Sequence, residues 1–265
     1  MPAIGRLLLG VVLAPSLLVA QRSVSERVRA AGTRTIAFEV KTRPEVCGDG
    51  VQSYSDGLGG PRTRVFDGMV VTYSPWDTHV APCEKGPMRV TVRVVDGVPS
   101  WLHTAAGPVP VLGDTVQDIG NVSTADAGEF LRGLVLTSLT RTATQALTPL
   151  VLLDSFPRWD VLAIAARDSS RLTGYRRRAA DLLARAAAGT IATAQSDDDD
   201  ASGTRREAVY ALAQRREKSQ DPVPQLLEIA TKNTHRDARV AALYQLGQLG
   251  DPRAVALFAS MLAGK

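Results

Sequence analysis

The chain has 265 residues, of which 45% are hydrophobic and 22% charged, and its formal net charge is +4. This length supports one large or two small domains with real hydrophobic cores, so the fold does not depend on a disulfide or a metal for its core. The positive side chains are mostly arginine, with only five lysines, and the small net charge gives no reason to expect a nucleic-acid partner.

The first 20 residues have the pattern of a secretory signal peptide. A single charged residue, Arg6, precedes the apolar run Leu7 to Val19. Ala20 is a small residue after which the signal peptide could be cleaved. These features predict a signal peptide over residues 1–20 and a secreted or periplasmic protein, with an uncleaved N-terminal anchor as the alternative. A helix that crosses a bilayer needs about 20 apolar residues, and no later segment reaches that length, so we expect no stable membrane span after cleavage.

Residues 21–118 have the pattern of a β-rich region that follows one short helix. Ser23 and Glu26 have the spacing of a capping box, which predicts a helix over residues 24–31. Asp96-Gly97 is a dipeptide suited to the positive φ angles of a tight hairpin. The predicted strands, which alternate branched or aromatic residues with smaller or polar ones, are Thr35 to Lys41, Arg64 to Tyr73, Met88 to Val95 and Val98 to Ala105.

The two cysteines, Cys47 and Cys83, both lie in this β-rich region. An even number of cysteines in an exported protein predicts one disulfide, here closing a loop of 83 − 47 = 36 residues. The alternative is a metal pair, but only Cys83 has a histidine, His79, at ligand spacing. We therefore predict a Cys47–Cys83 disulfide, no metal site and no cofactor.

No stretch of the sequence carries a recognisable catalytic motif. There are three histidines, and no Gly-x-Ser-x-Gly, His-Glu-x-x-His or Cys-x-x-Cys pattern. The glycines at 57, 59 and 60 predict a surface turn, because no Lys-Ser/Thr and no helix follow as a phosphate site requires. Asp197 to Asp200 predicts a solvated acidic loop, since it lacks the ligand spacing of a calcium loop. These observations favour a non-enzymatic protein, with a scattered site of Asp, Glu and Arg as the alternative.

The second half of the chain is predicted to be helical, and it begins with connecting helices over residues 119–157. Ser123 followed by Asp126 predicts the start of the first one. A second helix is predicted over Ala146 to Leu153, with Pro149 in its first turn, where proline is tolerated. A helix pair, Trp159 to Arg167 and Tyr175 to Ala188, follows.

An internal repeat organises the C-terminal part. Residues Arg205 to Gln214 match Arg239 to Gln248 at the constant offset 239 − 205 = 34, and a weaker copy starts at Arg176. The dipeptides Asp221-Pro222 and Asp251-Pro252 each open an apolar helix. A period of 34 is typical of helical units that stack into a solenoid, because each unit is too small to bury its own apolar face.

The succession of Asp-Pro, an apolar helix, a short turn and Arg-x-x-Ala-x-x-x-Leu over residues 158–265 resembles short bacterial HEAT-like repeats. With Val46-Cys47-Gly48-Asp49-Gly50 and Cys83-Glu84-Lys85-Gly86-Pro87, the chain resembles exported HEAT-repeat proteins of unassigned role that carry a cysteine-containing β region. The resemblance implies a fold of class α+β, mainly α, in which a small antiparallel β region precedes an α-solenoid. It also implies binding of a macromolecule.

One helical stripe of the repeats is a candidate binding surface. Arg206, Tyr210 and Gln214 are spaced i, i+4, i+8, on the side opposite Ala208 and Leu212. The candidate partner-binding residues on the concave helical surface are Arg177, Arg206, Tyr210, Gln214, Tyr244 and Gln248.

This stripe predicts a groove for a protein or peptide. Two alternatives are that the tyrosines only pack between units, and that the protein has a structural role in the cell envelope. Arg205 and Arg239 face another direction, and we expect each to pair with an acid such as Asp237 or Asp221.

Overall fold

The computed structural model describes residues 22–51, 53–55, 63–66, 69–72, 83–192, 202–214 and 221–263. The predicted signal peptide, the glycine turn at 57–60, His79 and the acidic run at 197–200 lie outside the described residues. The described helices are α1 (Val24–Ala30), α2 (Thr124–Thr137), α3 (Arg141–Leu152), α4 (Trp159–Arg167), α5 (Thr173–Ala192), α6 (Ser202–Ala213), α7 (Val223–Lys232), α8 (Arg236–Leu249) and α9 (Pro252–Leu262). The described strands are β1 (Arg34–Val40), β2 (Cys47–Gly48), β3 (Ser53–Ser55), β4 (Thr63–Phe66), β5 (Met69–Thr72), β6 (Met88–Val95), β7 (Val98–Ala106) and β8 (Val116–Asn121). The predicted class, α+β and mainly α, is confirmed.

The main sheet has the strand order β7-β6-β1-β8. The predicted hairpin of β6 and β7 forms one side of the sheet, and its turn residues Asp96 and Gly97 have φ angles of 50° and 77°. The alternate residues of β6 that begin with Met88 are buried, as the period of a half-buried strand requires. Helix α3 packs against β7 and β6, and Phe130 of α2 meets Phe38 of β1 edge to face at 6.0 Å between ring centroids.

One strand pairing differs from the antiparallel region that was predicted. Strand β8 pairs with β1 in parallel, beginning at Thr35 opposite Val116. The sequence did not indicate β8 because it lies at the sheet edge, where Val116 and Ile119 are only half-buried and the other residues are mostly polar. A strand with one weakly buried face lacks the alternation from which strands are recognised.

A second, antiparallel sheet has the order β2-β3-β4-β5. The predicted strand Arg64 to Tyr73 is in fact a hairpin of β4 and β5. The predicted disulfide joins Cys47 and Cys83, with 5.1 Å between their Cα atoms. Beside it, the backbones of Gly48 and Glu84 exchange two hydrogen bonds of 2.9 Å, so the covalent link and the bridge hold the same two segments together.

Helix α3 begins earlier than predicted. Pro149 lies inside it rather than in its first turn, and the Thr140 side chain accepts a hydrogen bond from the Thr142 N–H to cap its start. Proline cannot donate the backbone hydrogen bond of a helix interior. Packing outweighs this loss here, because Ala146 and Leu150 are completely buried at helical spacing.

In a simple solenoid the helical units stack in the order of the chain. The helical units of this protein do not. Helix α5 packs directly against α8, and α9 packs against α4 and α5, whereas α6 and α7 contact α8. The α8–α9 pair therefore lies between α4–α5 on one hand and α6–α7 on the other. Gly247 and Gly250 of α8 approach Ala184 and Arg177 of α5 respectively, so α8 runs antiparallel to α5.

Close approach of the two helices explains this order. A Cβ atom on Gly247 would stand 2.4 Å from the Ala184 Cβ and 3.2 Å from the Asp181 Cα. The facing part of α5 is rich in buried alanines, including Ala180 and Ala187. Small residues on both helices let their backbones approach, and the resulting contact buries α8 more deeply than a terminal unit would be buried.

Tyr175 fastens the start of α5 to the end of α2. Its hydroxyl donates a hydrogen bond of 2.6 Å to the Val135 carbonyl. Next to it, the Arg171 guanidinium donates to the carbonyls of Leu136 and Ser138, which are left unpaired at the end of a helix. The repeat helices are thereby joined to the helices that cover the sheet.

We predict opposite effects for two glycine substitutions. Gly247→Ala should lower the free energy of unfolding by about 1 to 3 kcal/mol, because the added methyl group overpacks the α5–α8 contact. Gly133→Ala, in α2, meets no atom within 4 Å and should raise it by about 0.5 to 1 kcal/mol through helix propensity. Urea denaturation of both variants measures the difference, and equal effects would contradict the tight contact at Gly247.

Tyr175→Phe should lower the free energy of unfolding by about 1 kcal/mol near pH 8, because the buried Val135 carbonyl loses its donor. Burial also raises the pKa of Tyr175 to about 12, from about 10 for a free tyrosine. The unfolded chain then loses this proton before the folded protein does. The stabilisation from the hydroxyl is complete below about pH 10 and is lost as the pH rises toward 12.

The difference between the wild-type protein and the Tyr175→Phe variant should therefore shrink over that pH interval. Denaturation curves of both proteins, recorded from pH 8 to pH 11.5, measure it. A difference that stays constant with pH would contradict the role assigned to the buried hydroxyl.

Candidate functional site

The two aligned repeat helices, α6 and α8, are buried to different extents. In α8, Ala242 and Leu246 are completely buried. The aligned residues of α6 are not, since Ala208 is exposed and Leu212 is half-buried, while Val209 is buried instead. The side of α6 that carries Ala208 is therefore less buried than the matching side of α8. The stacking order explains the difference, because α8 is covered by both α5 and α6.

Four of the six candidate residues line one cavity. It has a volume of about 510 Å³ and lies where the start of α5 meets the ends of α6 and α8. Its lining residues are Arg177, Tyr210, Ala213, Gln214, Gln245, Gln248 and Leu249. The candidates that the structure brings together are thus Arg177, Tyr210, Gln214 and Gln248, which come from three different helices.

The other two candidates lie outside this cavity. Arg206 is exposed on the first half of α6. Tyr244 is half-buried and packs against the hydrophobic core, which is the arrangement that the packing alternative describes. Tyr210, its counterpart in the repeat, is 49% exposed. The two tyrosines differ for the same reason as the alanines, because α8 has neighbours on more sides than α6.

Gln245 is a lining residue that the sequence did not indicate. It aligns with Ala211 at the repeat offset of 34, so the repeat gives no matching polar residue from which to identify it. Three glutamine side chains, Gln214, Gln245 and Gln248, therefore face one cavity. Each amide offers both hydrogen-bond donors and an acceptor.

Arg177 supplies the charge of this cavity. Its side chain is exposed, and no carboxylate belongs to the lining residues within the described part of the chain. The cavity thus combines one guanidinium, three amides and the Tyr210 phenol. Such groups are able to hydrogen-bond carboxylates and peptide groups, and the set contains no nucleophile paired with a base among the described lining residues.

An ion pair sets the distance between α6 and α8. Arg205 Nε donates to Asp237 Oδ2 at 2.9 Å, as predicted for Arg205. Arg239 forms no ion pair with an acid of the described residues, contrary to the prediction, and its buried Nε has no hydrogen-bond partner. Asp221 pairs instead with Arg253 at 2.8 Å, and hydrogen bonds from that guanidinium lower the pKa of Asp221.

Arg253 also pairs with Asp251, at 2.9 Å. It thereby joins the two Asp-Pro dipeptides at the starts of α7 and α9. These contacts lie close to the cavity in the chain, because Asp251 follows the lining residue Leu249 by two positions.

Among the described residues, no group of three or more His, Cys, Asp or Glu side chains is placed to hold a metal ion. His103 lies in β7, where its ring stacks on Trp101 with 5.7 Å between centroids, and burial lowers its pKa. None of the helices in the described ranges has the length and apolar character needed to cross a membrane.

Comparison with known proteins identifies one family in this part of the chain. Residues 189–265 match the family model of HEAT repeats. No curated protein matches the chain, and no solved structure matches it. The matched residues, 265 − 189 + 1 = 77 of 265, include helices α6 to α9. The C-terminal part of this chain is therefore similar to HEAT repeats over residues 189–265.

Proposed function

We propose that the chain is a non-enzymatic interaction module that acts outside the cytoplasm and binds a protein or peptide segment in the cavity between α5, α6 and α8. HEAT repeats are helical repeats often used for protein interaction. The observation that carries the proposal is the convergence of Arg177, Tyr210, Gln214 and Gln248 on one cavity. Arg177 and Gln248 are 248 − 177 = 71 residues apart in the chain, so the fold brings them together.

The chemistry of the cavity favours an extended peptide that carries an acidic residue. The three glutamine amides match the alternating N–H and C=O groups of a peptide backbone. Tyr210 offers a half-exposed ring for contact with either apolar or polar groups. Arg177 offers a planar fork of donors for a carboxylate. The volume of about 510 Å³ lies within the roughly 300 to 1,000 Å³ common for binding sites.

Two features of the chain support a location outside the cytoplasm. The signal-like segment at residues 1–20 is the pattern that directs secretion. The Cys47–Cys83 disulfide belongs to the class of links that persist mainly in oxidising compartments.

A matched pair of arginine variants tests the groove. A library of random twelve-residue peptides, displayed on phage, is selected against the full chain, and the enriched peptides are synthesised and titrated by isothermal calorimetry. We expect the enriched peptides to contain an acidic residue. The Arg177→Ala variant should bind these peptides at least about tenfold more weakly than the wild-type protein, because a charge-assisted hydrogen bond is lost. Arg206→Ala, also exposed but outside the cavity, should bind like the wild-type protein.

Tyr210→Ala provides a second measurement at the same site. Because the ring is half-exposed, the variant should keep its fold by circular dichroism and lose affinity for the same peptides. Peptides that bind all three variants equally would contradict the groove. A Tyr210→Ala variant that loses its fold instead would favour the view that the tyrosines only hold the units together.

A further inference from the structure

A second cavity, of about 700 Å³, lies where the β-rich region meets the helices. Its walls come from the segment that follows β1, the link between α3 and α4, and the ends of α5 and α9. One side of it carries charged groups, including Arg43 and Arg158. Another side is apolar, with Phe156, Trp159 and Leu262.

The segment after β1 fixes Arg43 at the end of α3. Thr42 pairs with Leu153 as an isolated β-bridge, and the Arg43 N–H donates to the Leu152 carbonyl at 3.0 Å. The Arg43 side chain is only 11% exposed, and its Nε donates to the Val151 carbonyl at 3.0 Å. Both the backbone and the side chain of Arg43 are therefore held by carbonyl groups at the end of α3.

Arg158 lies at the other end of the link between α3 and α4, and backbone carbonyls hold it in a similar way. Its Nη1 donates to the carbonyls of Leu153 and Phe156 at 3.0 and 3.2 Å. The guanidinium lies over the Trp159 ring, 4.6 Å from the centroid, a geometry that stabilises a cation. Its Nε is buried without a hydrogen-bond partner. A buried donor without an acceptor costs free energy, and the Arg158 Nε is such a donor.

The charged groups around Arg158 either carry the same charge or are engaged elsewhere. Burial, followed by the neighbouring charge of Arg43, lowers the pKa of Arg158 to about 10. Asp154 is engaged by Lys41 at 2.7 Å. Glu45, with a side chain 55% exposed, reaches only 3.8 Å from Arg43 Nη1. No carboxylate of the described residues forms an ion pair with Arg158.

We propose that this cavity binds a carboxylate that is attached to an apolar body. The carboxylate binds the guanidinium group of Arg158 on the side that lines the cavity, where it reduces the repulsion between the like charges of Arg158 and Arg43. The apolar body lies against Trp159 and Phe156, away from water. The same chemistry is offered by the C-terminus of a peptide and by a free aromatic or aliphatic acid, and the experiment separates these two sources.

Calorimetric titration of the full chain tests the proposal with three probes. N-acetyl-phenylalanine represents a peptide C-terminus, 3-phenylpropionate represents a free acid, and N-acetyl-phenylalanine amide has the same apolar body without the charge. We expect saturable binding of one or both acids, and binding of the amide that is at least about tenfold weaker. Tighter binding of N-acetyl-phenylalanine indicates a peptide end, and tighter or equal binding of 3-phenylpropionate indicates a free acid.

Three variants then test the assigned groups. Arg158→Lys should weaken binding about tenfold, because an ammonium lacks the planar fork of donors. Glu45→Gln should strengthen binding, because the competing carboxylate is removed. Arg253→Gln, a change to an arginine at the start of α9 that does not line the cavity, should leave binding unchanged.

Circular dichroism establishes that each variant is folded. If Arg158→Lys does not fold, the exposed Glu45→Gln change decides the result on its own. The proposal is wrong if the amide binds as well as the acids, if the acids show no saturation at millimolar concentration, or if the Glu45→Gln variant binds the acids no more tightly than the wild-type protein. The peptide groove between α5, α6 and α8 shares no residue with this cavity, so failure here does not affect it.

Discussion

The contact between α5 and α8 is the constraint on which the arrangement of the helices depends. Gly247 and Ala184 approach more closely than any pair of larger residues allows. The alanine-rich face of α5 is completely buried by this contact and by its neighbours. Because α8 is held there, α9 reaches α4 and α5, while α6 and α7 are left to pack on α8. The period of 34 residues thus predicts the repeating helical unit. The glycine of α8 and the alanines of α5 determine which of these units pack against each other.

The same contact determines what the candidate groove contains. In its antiparallel position, α8 has its last turn beside the first turns of α5, which brings Gln248 near Arg177. The ion pair between Arg205 and Asp237 holds the start of α6 near the start of α8. The end of α6 therefore lies near the end of α8. The cavity therefore takes its cation from outside the two clearest repeats, and its amides and phenol from within them. A polar site forms at an irregular point of the stack.

The sequence allowed local features to be predicted better than distant ones. Asp96-Gly97 and the cap at Ser123 were predicted correctly, because each acts on backbone groups a few residues away. Pro149 misled the prediction, because its local cost is smaller than the burial gained along α3. The position of Gly247 against α5 depends on residues more than 60 positions apart, and single-sequence periodicity does not report such contacts. Gln245 was missed since it has no counterpart in the other repeat.

The interior position of the α8–α9 pair has a consequence for how the protein is made. In a solenoid stacked in chain order, each unit can dock on the previous one as it leaves the ribosome. Here α4 and α5 must wait for helices synthesised much later, and their alanine-rich surface stays without its cover until then. Such late closure couples the stability of both flanking pairs to a single hairpin.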